Sequence, residues 1–287
     1  MCRRRRSAIP FILLGIALLA GCGKKIDSQW RGERQVEIDG KDVEWEDARV
    51  YIEDANVGIG LLNDEQDLYL SLSLTDRTAQ FQVMSQGFTV WFDPQGKKNK
   101  TFGIRFPLGL QDRMMDGMER GEPPEGGGMR GRGGGNMGGA RRGMSAERLQ
   151  AMFERLTRIP EMEILGPNQP YDKQRLLFSE SEDIQLKVAY DYGRLVYELK
   201  VPLARIAPGA DLKGGQSIGL GFETTKVDRQ AMRQRMGGMG GGMGGRGGGM
   251  GGMGGGMGGR GGRRGGGMGG MMAEPFQLWA KVKLASR

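Results

Sequence analysis

The side chains able to do chemistry in this chain are few in kind. It holds no histidine and two cysteines, Cys2 and Cys22. Ser–His and Cys–His nucleophilic systems are therefore excluded, and so are His-ligated zinc, copper and haem sites. Thioethers are abundant instead, with 20 methionines. "MGGMGGGMGGRGGG" from Met236 is followed at once by "MGGMGGGMGGRGGR" from Met250. Methionine sulfur selects Cu(I), so Met236, Met239, Met243, Met250, Met253 and Met257 form a candidate soft-metal set. Their spacing imitates a helix face, but ten of the first fourteen residues and nine of the second are Gly, and each Gly costs about 1 kcal/mol against Ala in a helix. Two other readings compete: an inert loop made by repeat expansion, and contact with an anionic polymer or lipid. RGG-type nucleic-acid binding would need interleaved aromatics, which the tract lacks.

The second candidate chemistry is aromatic. "FTVWFD" (Phe88–Asp93) puts Phe88, Val90 and Phe92 on one strand face and Trp91 on the other. "FQLWAKVKL" (Phe276–Leu284) sets Trp279 opposite Phe276, Leu278, Ala280, Val282 and Leu284. Tyr69 stands opposite the leucines of "LYLSLSL". Aromatic faces beside polar groups on a sheet suit stacking against the C–H face of a sugar. The competing reading is that a helix or the N-terminal segment covers these rings. Trp45 reads as structural. Asp93 and Asn63-Asp64 have no calcium-ligand spacing, and no carboxylate pair is singled out as a glycosidase dyad. Phosphate-loop and dinucleotide fingerprints are absent from the sequence. A non-catalytic protein without a cofactor is the expectation.

The elements that must position these rings are strands. Leu68–Leu74, Phe88–Asp93, Thr101–Phe106, Asp183–Tyr190, Arg194–Val201, Gln216–Glu223 and Phe276–Leu284 alternate or run apolar, with Ala48–Glu53 and Asn56–Asp64 as further candidates. Short alternating strands between turn residues predict an all-β antiparallel sandwich, a jelly roll. "DYGRL" (Asp191–Leu195) predicts a tight turn. "SAERLQAMFERLTR" from Ser145 predicts one short helix, with Leu149, Met152, Phe153 and Leu156 on one stripe.

Two low-complexity tracts interrupt this body. Residues 231–272 hold 24 of the 54 glycines and residues 111–146 hold 12 more. The first lies between a strand and the helix, the second between two strands that could be consecutive. We read 111–144 and 230–273 as long disordered loops inserted in one domain. Closing a loop twice as long costs only about 0.6 kcal/mol more. The net charge of +8 sits in the signal and the tracts. The folded body is left mildly acidic, so the high pI gives no nucleic-acid face.

The N-terminus has the layout of a secretory signal. Arg3–Arg6 precede an apolar run, Ala8–Ala20, of about 13 residues, too short to span a bilayer of roughly 30 Å. Leu19-Ala20-Gly21-Cys22 resembles the bacterial lipoprotein box. That resemblance implies cleavage before Cys22, lipidation of its thiol, and a membrane partner through the anchor. The absence of Asp after Cys22 favours the outer membrane. Residues 1–21 are then signal, 22–34 a polar tether, and 35–287 a single domain.

The body resembles a known family. "VEIDGKDVEWEDA" (Val36–Ala48), "NDEQDLYLSLSLTD", "FTVWFDPQGKKNKTFGIRFP" and "GRLVYELKVPLARI" look like the family 9 carbohydrate-binding-module-like domain of bacterial envelope proteins, a group related to the DOMON sandwiches. The resemblance implies a jelly-roll sandwich that often binds sugars between aromatic faces. Some relatives bind haem or have no known ligand. No binding residue of the family is carried over. The expected function is non-catalytic recognition of a glycan or similar envelope ligand through Trp91, Trp279 and Tyr69. The alternatives are Cu(I) binding by the Met-rich loop and a structural protein with no small-molecule ligand. Nothing in the sequence names a protein partner.

Overall fold

A computed structural model describes residues 24–110, 112, 146–158, 160–168, 172–226 and 274–287. The lipidation candidate Cys22 and the six candidate Cu(I) methionines lie outside these residues.

Alternation builds two sheets. On β5 (Asp67–Leu74), Leu68, Leu70, Leu72 and Leu74 all point inward and are fully buried. They pair with β4 (Val57–Asn63) on one side and β11 (Arg194–Pro202) on the other. Together with β10 (Gln185–Asp191), β2 (Gln29–Trp30) and β3 (Arg49–Ile52) they form a six-stranded sheet, here called sheet B. Sheet A has seven strands, in the order β1 (Lys24–Asp27), β13 (Gln277–Lys283), β12 (Ser217–Thr224), β6 (Phe88–Asp93), β7 (Phe102–Arg105), β8 (Glu161–Leu165) and β9 (Lys173–Leu177). Their inner faces meet in one continuous core. Phe88 of sheet A lies edge-on to Tyr197 of sheet B at 5.2 Å and stacks on Phe222 at 6.3 Å. Each such side chain taken from water contributes roughly 1.5–3 kcal/mol. The architecture is a β-sandwich, as the sequence pattern predicts.

Most pairings are antiparallel, but two are parallel: β1 with β13, and β2 with β4. Both involve residues that the sequence pattern leaves in a polar tether, 22–34, and that strand pairing instead builds into the two sheets. Lys24–Trp30 belong to the fold. One inward side chain, Ile26 opposite Val282, is enough to seat β1 in the core. The chain then steps from one sheet to the other at Ser28. The Ser28 hydroxyl donates to Asn63 Oδ1. The Ala285 amide donates to Asn63 Oδ1 at 2.8 Å, and Asn63 Nδ2 donates to the Ala285 carbonyl at 3.1 Å. Asn63, itself buried, thus joins the N-terminal strand to the C-terminal segment.

Helix α1 (Arg77–Gln86) crosses from sheet B to sheet A and closes one end of the sandwich. Asp76 caps it by accepting from the Ala79 amide at 2.8 Å. Gly87, at φ +81°, stops it. Helix α2 (Ala146–Thr157) packs on β10 and α1, with Phe153 and Leu156 buried. It covers the side of sheet B, so it is not what shields Trp91. The β10–β11 turn is tight as expected. Tyr192 and Gly193 both take positive φ, at 44° and 82°, which matches the twist of the flanking strands. Strands β12 and β13 are direct hairpin partners, so residues 227–273 connect two neighbouring strands.

Candidate functional site

The outer face of sheet A carries both tryptophans. Gly221 on β12 is the register partner of Trp91 on β6 and of Trp279 on β13. Gly103 on β7 is the partner of Trp91 on its other side. Neighbouring strands lie about 4.8 Å apart, so the row Trp279–Gly221–Trp91–Gly103 alternates ring-bearing and bare positions. A Cβ added at Gly221 would meet the Trp279 ring at 2.6 Å, and one at Gly103 would meet the Trp91 ring at 2.7 Å. Only glycine lets each indole lie on its neighbouring strand. The two rings tile the sheet as a band of π surface.

Polar groups converge on this band. The Trp91 indole N–H donates to Glu223 Oε1 at 2.8 Å. The Lys100 ammonium donates to the same oxygen at 2.6 Å and stands 5.4 Å from the Trp91 ring centroid. Trp91 is left only 3% exposed, while Trp279 is half-buried. A groove of about 690 Å³ opens beside Trp91. Thr89, Trp91, Lys100, Glu223, Glu274 and Gln277 line one end, and Arg105, Glu163, Leu165 and Lys173 the other. Lys226 and Glu274, the described residues flanking 227–273, both reach its rim.

The far end is an ion network. Glu163 is fully buried, yet three cations reach it: Lys173 at 2.9 Å, Arg175 at 2.8 Å and Arg105 at 3.2 Å. Burial alone would push its carboxyl up. The hydrogen bonds from Lys173 and Arg175 and the Arg105 charge outweigh that and hold it below the usual range. Arg105 also pairs with Asp112 at 2.6 Å. Asp112 moves the other way: its own burial raises it against the pull of Arg105.

Tyr69 does not join the tryptophans. It lies on the outer face of sheet B in a small cluster with Trp45, Ala48 and Leu62. Its hydroxyl donates to Asp64 Oδ2 at 3.2 Å. Arg31 and Lys200 stand 5.6 and 5.8 Å from its ring. Burial first, then the charges of Asp64 and Asp67, push its phenol up to about 12. Tyr69 is a packed residue held between two cations.

Trp45 is also structural, as its place in the opening sequence block suggests. It lies on Gly60 and donates its indole N–H to Glu198 Oε1 at 2.8 Å. The Gly40 amide donates to Glu198 Oε2 at 2.6 Å. One buried carboxylate thereby docks Asp39–Ala48 onto sheet B. Asp39 and Glu44 place oxygens within 4.8 Å of it. Its own burial, with those two charges, pushes Glu198 up to about 7 despite both hydrogen bonds.

Asp93 and Asp64 are spent on turns. Asp93 accepts the amides of Gln95 and Asn99 at 3.0 and 2.9 Å. Asp64 accepts those of Gln66 and Asp67 at 2.9 and 2.8 Å. The groove residues that sequence reasoning passed over are Thr89, Lys100, Arg105, Glu163, Glu223 and Gln277. Thr89 and Glu223 had a readable signal: each shares outward parity with Trp91 or with Gly221.

No protein-family model matches the chain, and no curated protein matches it. Among solved structures it is similar to a family 9 carbohydrate-binding module from Caldicellulosiruptor kristjanssonii in complex with glucose. Identity is 11% over 72% of this chain and 81% of the module, with a TM-score of 0.32. It is likewise similar to a family 9 module from the same organism in complex with cellotriose, at 9% identity, 92% and 95% coverage, and a TM-score of 0.35.

Proposed function

We propose that the chain is a lipid-anchored envelope protein whose sandwich binds a glycan, without catalysis, on the outer face of sheet A. The observation that carries the glycan reading is the pair of indoles laid on Gly103 and Gly221 beside a groove of hydrogen-bonding side chains. Aromatic surface takes the C–H face of a sugar, and Thr89, Gln277, Glu223 and Glu274 offer partners for its hydroxyls. Absence of catalysis is supported by Glu163, the most buried acid of the groove, whose carboxylate is committed to three cations. The sequence resemblance to carbohydrate-binding-module-like domains points the same way.

A glycan array with the mature protein tests this reading. Binding to one glycan class is expected, and it should be lost in the Trp91→Ala, Trp279→Ala double variant. Binding that survives the double variant removes this face from the site. The anchor rests on the sequence around Cys22. A palmitate analogue should label wild type and leave Cys22→Ala unlabelled; equal lack of label in both ends the lipoprotein reading.

A further inference from the structure

Lys100 behaves as a ligand of its own groove. Its ammonium lies over the Trp91 ring and on the Glu223 carboxylate, an aromatic face plus an anion, which together make a seat for a cation. The occupant, Lys100, sits at the solvent edge of the groove. Its side chain is 44% exposed, and it follows the loop that Asp93 organises through the Gln95 and Asn99 amides. Trp91 is 3% exposed with Lys100 seated over it, so a ligand ammonium takes this seat only by displacing the lysine's own, whereas a neutral ring leaves Lys100 in place.

Displacement has a chemical consequence. Glu223, whose side chain is 18% exposed, keeps the Trp91 N–H but loses its counter-charge. A neutral hydroxyl can return a hydrogen bond but no charge. A ligand ammonium returns both the charge-assisted bond and the cation–π contact. Glu274 adds a second carboxylate at the same end. Arg105 and Lys173 at the far end are compensated by Glu163 and Asp112, which leaves Lys226 as the other cation of the lining.

We propose, building on the glycan reading above, that this groove selects glycans bearing a primary ammonium, such as glucosamine-type residues, and that Lys100 fills the ammonium seat in their absence. A ring is favoured over a lysine side chain as the carrier. Trp279, two strands from Trp91 across Gly221, adds a second indole on the same sheet face, and Thr89 and Gln277 of the lining offer hydroxyl partners.

The test is calorimetry at mildly acidic pH with three probes: a β-1,4-linked glucosamine oligomer, its fully N-acetylated counterpart, and a lysine-rich peptide. Wild type, Lys100→Ala and Glu223→Gln are compared, with circular dichroism confirming that each is folded. Lys100→Ala should bind the glucosamine oligomer about tenfold tighter than wild type, with a change of about twofold or less for the acetylated oligomer. Glu223→Gln should lose the preference between them. Equal gains for both oligomers, no gain for either, or a gain confined to the peptide overturns the ammonium seat. If the acetylated oligomer binds wild type while the amine never improves binding, the seat fails and the glycan reading stands. If no protein binds any sugar, both fail.

Discussion

Glu223 accepts the Trp91 indole N–H and the Lys100 ammonium on one and the same carboxylate oxygen. The indole is therefore fixed in its plane as well as supported from below by Gly103. A ring held at its edge and at one face is a preorganised surface, and that rigidity lowers the ordering cost of binding.

The glycines beneath the rings should be intolerant of any side chain. Gly221→Val places methyl groups where the Trp279 ring lies and must lift the ring or bend β12. The expected loss is about 1–3 kcal/mol, as for overpacking elsewhere. Urea unfolding measures it. A shift of the tryptophan emission should accompany the loss, because the displaced indole gains solvent.

Glu198 predicts a direction for stability against pH. Its carboxyl is raised from 4.5 to about 7 in the folded protein, so the folded state binds the proton more tightly than the unfolded state. The resulting stabilisation is full below pH 4.5 and is lost as pH rises through about 7. Wild type should accordingly lose stability between these values, and Glu198→Gln should lose less of it. Urea midpoints across the window decide this. Parallel curves for the two proteins would contradict the assignment.

Asn63→Ala should be costly although it removes no apolar packing. The Ala285 amide and carbonyl and the Ser28 hydroxyl all lose a buried partner. The amide and the hydroxyl keep their bond to each other at 3.0 Å, so the Ala285 carbonyl is the group that loses its side-chain partner outright, at a cost of about 1–3 kcal/mol. Denaturant unfolding should show a loss in that range, and hydrogen exchange should quicken in β1 and β13 before the rest of sheet A.

Removing residues 231–272 and joining the ends with a short Gly-Ser turn should leave cooperative unfolding intact. Thr224 and Phe276 already bond across the hairpin at 3.0 Å, so a short turn can close it. A non-cooperative transition in the deletion variant would show that the tract is part of the fold.

The central strands were readable because each carries its own pattern. The leucines of β5 and the inward residues of β6 and β12 announce a face in six to eight residues. Strands β1 and β2 span four and two residues, too few for alternation to register. They exist through their partners on β13 and β4. Helix α1 hid for another reason. Gln80 and Gln82 are buried polar residues that replace apolar ones by donating to main-chain carbonyls: Gln80 to Leu74 and Gly193, Gln82 to Glu274. Strands β8 and β9 also went unread, β9 because it is a mostly exposed edge.

The site was legible to the same degree. Parity places Trp91 and Trp279 on outward faces, and the structure brings them to one row. Parity cannot say which sheet a strand joins, so Tyr69, with the same outward sign, lands on the opposite side of the sandwich. Glu223 is 132 positions from Trp91 and Arg105 is 58 from Glu163. Such pairings belong to tertiary registration and leave no local trace.

The parallel pairing of β1 with β13 has a mechanical consequence. A pull on the chain ahead of Lys24 acts along the axis of β1. Four consecutive residue pairs, Lys24–Asp27 against Ala280–Lys283, then resist sliding together, and none can open before the others. The strand is loaded in shear, where hydrogen bonds share force, and Ile26 must be dragged out of the core at the same moment. A pull from the N-terminal side is therefore met first by this one strand pairing, before it reaches the rest of sheet A.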